Sequence, residues 1–230
     1  MRQETVLRET HRFLKKKLSG EGTGHDYWHS LRVLKAAETI ARKEKADLFI
    51  VRLAALLHDI ADWKFHGGDT GKGPRVADRF LKRLHVAPDV RRQVSDIIAA
   101  ISFKGAGVVN PAMTIEGRVV QDADRLDALG AIGIARAFAY GGLRGREIYN
   151  PGKRPEKHAT FAAYRKSRGT TVNHFYEKLL LLKDRMNTKT GKQMAASRHL
   201  FMEKYLKQFF QEWQMERGKR NPEAWFQTER

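Results

Sequence analysis

The chain has 230 residues, a formal net charge of +18 and no cysteine, and 41% of its residues are hydrophobic. This length and composition predict a folded protein with a sizeable core and exclude wholesale disorder. The lack of cysteine excludes a disulfide scaffold, a Cys-ligated metal centre and a thiol nucleophile. No apolar run has the length of a membrane span, and the charged N-terminus is unlike a signal peptide. We therefore expect a soluble, cytoplasmic protein without membrane insertion.

Apolar residues recur with helical periodicity along nearly the whole chain, and no segment shows the alternation typical of a strand. The predicted fold class is therefore all-α, with helices over residues 4–18, 26–43, 48–63, 75–84, 88–102, 116–139, 171–187 and 191–216. The segment 141–158 is rich in Gly, Pro, Arg and Lys and is predicted to be a long loop.

We expect one helical bundle with a C-terminal helical extension. Its predicted parts are an N-terminal helix (1–19), the core (20–140), a loop and C-terminal helices that pack on the core (141–216), and a tail (217–230).

The helix predicted at 48–63 is almost entirely apolar until it reaches His58 and Asp59. Burying an imidazole and a carboxylate together is costly unless something pairs them, and a metal ion does so directly. This pair is therefore a candidate for metal binding.

Acidic residues also interrupt the apolar helix predicted at 116–139. At 100° per residue, Asp124 and Asp127 share a face with Val120 and Ala131, whereas Asp122 points away from it. We therefore expect Asp124 and Asp127 to face the core.

The third polar position is His29, in the sequence Gly-His-Asp-Tyr-Trp-His at the start of the second predicted helix. His29 continues the apolar stripe of Val33, Ala36 and Ile40, so its side chain is expected to face inward. A single inward His is more often a hydrogen-bonded core residue than a ligand. An inward His, an inward His-Asp pair and an inward Asp on three helices together favour a metal site.

This arrangement resembles the signature of the HD-domain metal-dependent phosphohydrolases. The surrounding sequences Leu-Leu-His-Asp-Ile-Ala-Asp-Trp-Lys and Gln-Asp-Ala-Asp-Arg-Leu-Asp-Ala-Leu-Gly, with Asn-His-Phe-Tyr-Glu-Lys-Leu-Leu near the C-terminus, resemble one bacterial subgroup. That subgroup includes manganese-dependent pyrophosphohydrolases of nucleoside and deoxynucleoside triphosphates. The similarity covers about residues 20–215, and the segment 20–140 corresponds to the HD core.

By this resemblance the metal ligands are His29, His58, Asp59 and Asp124. Two imidazoles and two carboxylates form a borderline donor set suited to Mn²⁺, Ni²⁺, Fe²⁺, Co²⁺ or Zn²⁺. Mg²⁺ ranks lower because it prefers shells made only of oxygen atoms. We expect a divalent transition metal, with manganese first.

The chain departs from the HD enzymes that hydrolyse guanosine tetraphosphate-type alarmones, which carry a Glu-Asp pair shortly after the His-Asp. Here the corresponding residues are Asp62 and Trp63, so that activity is disfavoured. Asp62 lies about one turn beyond His58 and is the candidate catalytic residue, as general base or water-orienting group. The alternative is that Asp62 is only an acid at a helix end.

The candidate substrate-binding residues are Lys64, His25 and Arg32, each with a structural alternative such as helix capping or pairing with an acid. Asp127 is a candidate hydrogen-bond acceptor behind the ligands, where it would orient a metal-binding His. Further phosphate contacts are expected from the basic loop, with the candidates Arg144, Arg146, Lys153, Arg154 and Lys157.

The function that the resemblance implies is metal-dependent hydrolysis of nucleoside triphosphates to monophosphate and pyrophosphate, with a nucleotide as partner. An HD-type nucleotidase, phosphodiesterase or triphosphohydrolase is the alternative within the enzymes. The net charge of +18 leaves open a nucleic-acid-binding protein with a structural metal. A purely structural helical protein is the third alternative. The sequence does not decide the oligomeric state.

Overall fold

The computed structural model describes residues 2–18, 20, 24, 26–61, 69–101, 113–156, 160 and 169–214. Every regular element among them is helical and none is a strand, so the all-α prediction is confirmed. In chain order the elements are α1 (Gln3–Leu18), α2 (Tyr27–Glu44), α3 (Leu48–Leu57), α4 (Lys72–Arg83), α5 (Pro88–Ala100), α6 (Ile115–Asp127), α7 (Gly130–Leu143), α8 (Thr171–His174) with a π-helical turn (Phe175–Leu179) and a 3₁₀ turn (Leu180–Arg185), and α9 (Lys189–Gln214).

Helix α3 forms the centre of the bundle and packs against α1, α2, α5 and α6. Its sequence LFIVRLAALL is apolar nearly all round, as expected for a helix that is covered on all sides. Asp47 caps its N-terminus by accepting hydrogen bonds from the backbone N–H groups of Phe49 (2.8 Å) and Ile50 (3.1 Å). This cap fixes the start of the central helix, and His58 follows directly at its other end.

Helices α2, α3 and α6 pack against one another, so that their ends lie close together at each end of the bundle. Helix α2 is followed by α3 after a short connection, and Glu116 at the start of α6 accepts from the N–H of Asp47 in that connection (3.1 Å). The first turn of α2, the last residue of α3 and the last turn of α6 therefore meet at the opposite end. This end carries His29, the His58-Asp59 pair, Asp124 and Asp127.

Three predicted helix boundaries are wrong. The helix predicted at 116–139 is two helices, because Gly130 adopts a positive φ of 72° and a side chain there would contact Arg198 of α9 at 3.3 Å. Helix α3 ends at Leu57, and His58 is its C-cap rather than an interior residue. Helix α7 continues to Leu143, so the long loop begins later than 141. The proposed division of the chain at residue 140 stays a prediction.

Asp122 lies on a different side of α6 from Asp124 and Asp127, and another segment of the chain covers that side. Its side chain is fully buried and accepts hydrogen bonds from the segment that begins α9. The donors include the N–H groups of Asn187 and Thr188 and the hydroxyl of Thr188, all at 2.8 Å. Asp122 thus anchors the C-terminal helix to α6, on the side of α6 opposite to the core face.

Helix α9 packs along α7, α6 and α2, and its first turn is bound to α2 as well, since Glu44 accepts from the N–H of Thr190 at 2.9 Å. None of the helices in the described part of the chain is long and apolar enough to cross a membrane.

Candidate metal centre

The first turn of α2 orients His29 into the bundle. Asp26 caps this helix and its carboxylate accepts from the N–H of His29 at 2.7 Å. The imidazole of His29 is completely buried. Its Nδ1 atom lies 2.6 Å from Oδ2 of Asp127 and donates to that carboxylate, which directs Nε2 toward the interior of the cluster.

His58 is oriented in the same way by the helix that precedes it. Its Nδ1 atom donates to the carbonyl oxygen of Ala55, one turn earlier, at 2.8 Å. Its Nε2 atom faces Nε2 of His29 at a distance of 3.1 Å. The two buried imidazoles therefore direct their Nε2 atoms toward each other.

Two carboxylates converge on the same point. Oδ2 of Asp59 lies 3.3 Å from Nε2 of His29 and 3.4 Å from Nε2 of His58. Oδ1 of Asp124 lies 3.5 Å and 3.7 Å from the same two nitrogen atoms. The structure thus brings together all four residues that the sequence nominated as ligands, from α2, the end of α3 and α6.

Two imidazole nitrogen atoms and two carboxylates this close together require a positive charge among them, which a proton or a metal ion can supply. With metal–ligand bonds of about 2.1 Å, adjacent ligands are separated by about 3.0 Å in an octahedron and about 3.4 Å in a tetrahedron. The separations in this cluster, from 3.1 to 3.7 Å, are close to that range. The atoms offered by His29, His58 and Asp59 all lie within 4.8 Å of one another. The donor set therefore fits a divalent metal.

The electrostatics of the cluster without an ion point the same way. Burial lowers the pKa of His58, but the negative charge of Asp59, its hydrogen bond and the charge of Asp124 outweigh burial and raise that pKa to about 9. The pKa of Asp124 is lowered, since the charges of His58 and His29 outweigh its burial. A positive charge is thus favoured at this point, whether a proton or a metal ion supplies it.

Asp127 lies behind His29, on the side of the imidazole that faces away from the other three candidate ligands. It is buried, and besides His29 it contacts Arg32 through two hydrogen bonds of 2.7 and 3.0 Å and Arg136 at 3.1 Å. Burial alone would raise the pKa of Asp127, but these partners lower it well below its usual range. Asp127 is therefore a carboxylate in the folded protein and fixes the ring orientation of His29.

Arg136 is a residue of this network that the sequence did not single out. From α7 its Nε atom donates to the carbonyl oxygen of Gly24 at 2.8 Å, while Nη1 contacts Asp127. It therefore binds the segment before α2 to the carboxylate behind His29. The only signal in the sequence was its place within the apolar stretch that follows Gly130, which indicated no partner for it.

The remaining site candidates are distributed as follows. Arg32 pairs with an acid, Asp127, which was one of its two alternatives, and its side chain remains about one third exposed (36%). Asp62, Lys64, His25 and, in the basic loop, Lys157 lie outside the described residues, so their roles stay predictions.

Comparisons with known proteins agree with this geometry. Residues 27–129 match the HD domain family. The sequence is 41% identical over 192 residues to the uncharacterized protein YpgQ of Bacillus subtilis, covering 83% of this chain and 85% of YpgQ. An HD-superfamily hydrolase from Bacillus thuringiensis has a crystal structure with a TM-score of 0.71 and 42% identity, covering 93% of this chain and 100% of that one. The crystal structure of YpgQ in complex with ADP has a TM-score of 0.71 and 34% identity, covering 92% and 97%.

The family match, the extent of these similarities and the convergent His and Asp side chains lead to one assignment. The chain belongs to the HD-domain superfamily and is a metal-dependent phosphohydrolase.

Proposed function

We propose that the protein hydrolyses nucleoside or deoxynucleoside triphosphates to nucleoside monophosphate and pyrophosphate, with His29, His58, Asp59 and Asp124 as metal ligands. The observation that carries the proposal is the convergence of these four side chains, each offering an electron pair to a common point. The donor set favours a borderline transition metal, and we propose Mn²⁺. We propose the cytoplasm as its location, because a chain without cysteine forms no disulfide that an oxidising compartment would maintain.

The charge balance of the site supports a strongly anionic substrate. Arg32 and Arg136 place two guanidinium groups beside the cluster, and a divalent ion would add two further positive charges there. Positive charge at this position attracts phosphate groups. The ADP bound to YpgQ, a relative of similar fold, makes a nucleotide the first choice among phosphate compounds.

When bound, the metal would supply charge stabilisation to a phosphate oxygen and lower the pKa of a water molecule. Residues of the chain orient the two imidazoles toward the proposed metal position. Asp127 accepts from Nδ1 of His29 and the carbonyl of Ala55 accepts from Nδ1 of His58, so that both Nε2 atoms face that position. In the proposed reaction, the oxygen of water bonds to the α-phosphorus and the bond from that phosphorus to the bridging oxygen breaks, releasing pyrophosphate.

Arg32 is the described basic residue best suited to contact the substrate. Its side chain is about one third exposed, unlike that of Arg136, and its guanidinium lies against Asp127 at the edge of the site. Arg144, the first candidate of the basic loop, is a weaker candidate for a phosphate contact than it was from sequence alone. It follows Arg136 by eight helical residues and so lies about 12 Å further along the axis of α7. Lys64 and His25 stay proposed contacts on the strength of their positions beside the ligands in the sequence.

Product identification tests the function directly. Individual nucleoside triphosphates incubated with the protein and Mn²⁺ should give monophosphate and pyrophosphate in phosphorus NMR spectra. Orthophosphate with diphosphate, or tripolyphosphate with free nucleoside, would instead assign one of the sister activities. Binding of nucleic acid with a steep salt dependence and no turnover of any nucleotide would favour the binding protein instead.

We expect Asp62→Asn to lower kcat by about 10²–10⁴-fold, because loss of a general base usually has an effect of this size. The metal content should stay unchanged, since Asp62 is proposed to act on water and not on the metal. The check is kcat under saturating substrate together with elemental analysis. Activity within threefold of the wild type would leave Asp62 as a plain acid at a helix end.

We expect Asp127→Asn to weaken metal binding by about 10–100-fold, the usual cost of removing the partner of a metal-binding His. The neutral amide no longer balances Arg32 and Arg136, whose charges then oppose the metal. Competition with a chromogenic chelator measures the affinity. Asp184→Asn is the matched control, because that carboxylate is 80% exposed and lies far along the chain from the site residues. Equal affinities of both variants would contradict the role of Asp127.

Metal binding should depend on pH through His58. The pKa of His58 in the metal-free protein is about 9, so near neutral pH a metal ion must displace one proton from its ring. The apparent metal affinity should therefore rise about tenfold per pH unit between about pH 6.5 and 8.5. The same shift stabilises the metal-free fold below about pH 6.5, and that contribution is lost as the pH rises through 9. Chelator competition at several pH values measures the slope, and a flat profile would be inconsistent with a displaced proton.

A further inference from the structure

Trp28 is the most exposed large apolar side chain in the described part of the chain, with 63% of its surface accessible. It is the second residue of α2 and directly precedes His29. An indole offers a large apolar surface, and leaving it in water forgoes the stabilisation that burial gives. The indole therefore presents an apolar surface that a ligand can reach, next to buried site residues.

The indole is exposed but its surroundings are ordered. The ring of Tyr27 packs against it edge-to-face, with centroids 5.5 Å apart and an interplanar angle of 63°. Tyr27 is itself packed against the hydrophobic core. The backbone beneath is fixed by the Asp26 cap. A ligand that stacks on this ring would therefore lose little free energy in ordering it.

The position of Trp28 relates it to the metal centre. The first turn of α2, the end of α3 and the last turn of α6 meet at one end of the bundle, and Trp28 belongs to that first turn. At 100° per residue, Trp28 lies within about 40° of Arg32, one turn later on the same face of α2. Arg32 contacts Asp127 behind the ligand His29. The indole thus lies at the same end of the bundle as the cluster, outside the ring of ligands.

We propose that Trp28 is the surface on which the base of the nucleotide stacks. This inference rests on the proposed function and adds how the nucleoside half of the substrate is recognised. A base is separated from its α-phosphate by a ribose, so its stacking surface must lie beside the ligands and not among them. Because every base has a π-face, stacking on Trp28 distinguishes nucleotides from inorganic polyphosphates but discriminates weakly among bases.

Binding without turnover tests the proposal on the full-length, metal-loaded protein. Calorimetry would compare the Kd for ADP and for inorganic tripolyphosphate in Trp28→Ala, Trp28→Phe and Trp213→Ala. Trp213 is the matched control, since it is 48% exposed on the last turn of α9 and packs against Tyr149 and Phe209. Thermal unfolding of each variant checks that the fold is intact.

We expect Trp28→Ala to raise the Kd for ADP about tenfold, the size typical of losing one base-stacking contact. The Kd for tripolyphosphate should stay within about twofold, and Trp28→Phe should restore most of the ADP affinity. Trp213→Ala should change neither constant. With a nucleoside triphosphate as substrate, Trp28→Ala should raise KM and leave kcat nearly unchanged.

Three results would overturn the proposal, and only the last of them also removes the proposed function. If the wild type and Trp28→Ala bind ADP equally well, or if Trp28→Ala loses affinity for tripolyphosphate to the same extent, Trp28 is no stacking surface although the nucleotide function stands. If the wild type binds tripolyphosphate but no ADP and hydrolyses no nucleotide, the proposed function itself fails and the stacking role fails with it.

Discussion

Asp59→Asn is expected to lower kcat/KM by about 10³-fold or more and to abolish tight metal binding. The carboxylate of Asp59 lies 3.3 and 3.4 Å from the two imidazole nitrogen atoms and supplies negative charge to the proposed metal position. A bound metal contributes several kcal/mol of charge stabilisation, and each 1.36 kcal/mol corresponds to a factor of about ten in rate. Metal content after purification and steady-state kinetics with Mn²⁺ measure the two effects.

The control for Asp59 is Asp184→Asn, which removes the same charge from an exposed position on the 3₁₀ turn. It should retain the metal content and kcat/KM of the wild type. Asp124→Asn provides an independent variant, since its carboxylate faces the same nitrogen atoms from α6. Normal metal content and activity within tenfold in both Asp59→Asn and Asp124→Asn would refute the proposed ligand set.

Asp122→Ala should reduce the free energy of unfolding by about 3–5 kcal/mol, the range found when a buried charge network loses one partner. The carboxylate is completely buried and accepts from the N–H groups of Asn187 and Thr188 and from the Thr188 hydroxyl. Its removal leaves these donors buried without an acceptor at the start of α9. Urea denaturation of the metal-free protein measures the change.

Asp184→Ala is the comparison for stability, and it should change the free energy of unfolding by no more than about 0.5 kcal/mol. Metal affinity of the folded Asp122→Ala protein should stay near that of the wild type, because Asp122 lies on a different face of α6 from Asp124 and Asp127. Gly191→Ala probes the same anchor from α9. A Cβ atom at Gly191 would overlap Oδ2 of Asp122 and approach Oγ1 of Thr188 to 2.8 Å. A wild-type unfolding midpoint in both variants would show that the anchor carries little stability.

Much of the candidate site could be predicted because it depends on local patterns. Helical periodicity identified His29 as a continuation of the apolar stripe of α2, and it distinguished Asp124 and Asp127 from Asp122 on α6. The His58-Asp59 pair was conspicuous because charge follows a run of apolar residues. The first two inferences need only the angle between side chains on one helix, and the third needs only the order of residues along the chain.

Other features depend on contacts between segments that are distant in the chain. Periodicity placed Asp122 only away from the face of Asp124 and Asp127, and it gave no sign that Asn187 and Thr188, 65 and 66 residues later, cover its side chain. Arg136 was missed because its partners, Gly24 and Asp127, become its neighbours only when α7 turns back at Gly130. That turn interrupts an apolar period that the sequence alone would continue.

The sequence by itself determined the all-α class, the core-facing stripes and the residue types that nominate a metal site. Those properties follow from hydrophobic periodicity and from the cost of burying charge, both of which are local in the chain. The tertiary structure decided that Nε2 of His29 and Nε2 of His58 lie 3.1 Å apart, that Asp127 binds His29 together with two arginines, and that Asp122 anchors α9. These depend on how helices cross and where they end, which the packing of the whole bundle sets rather than any single helix.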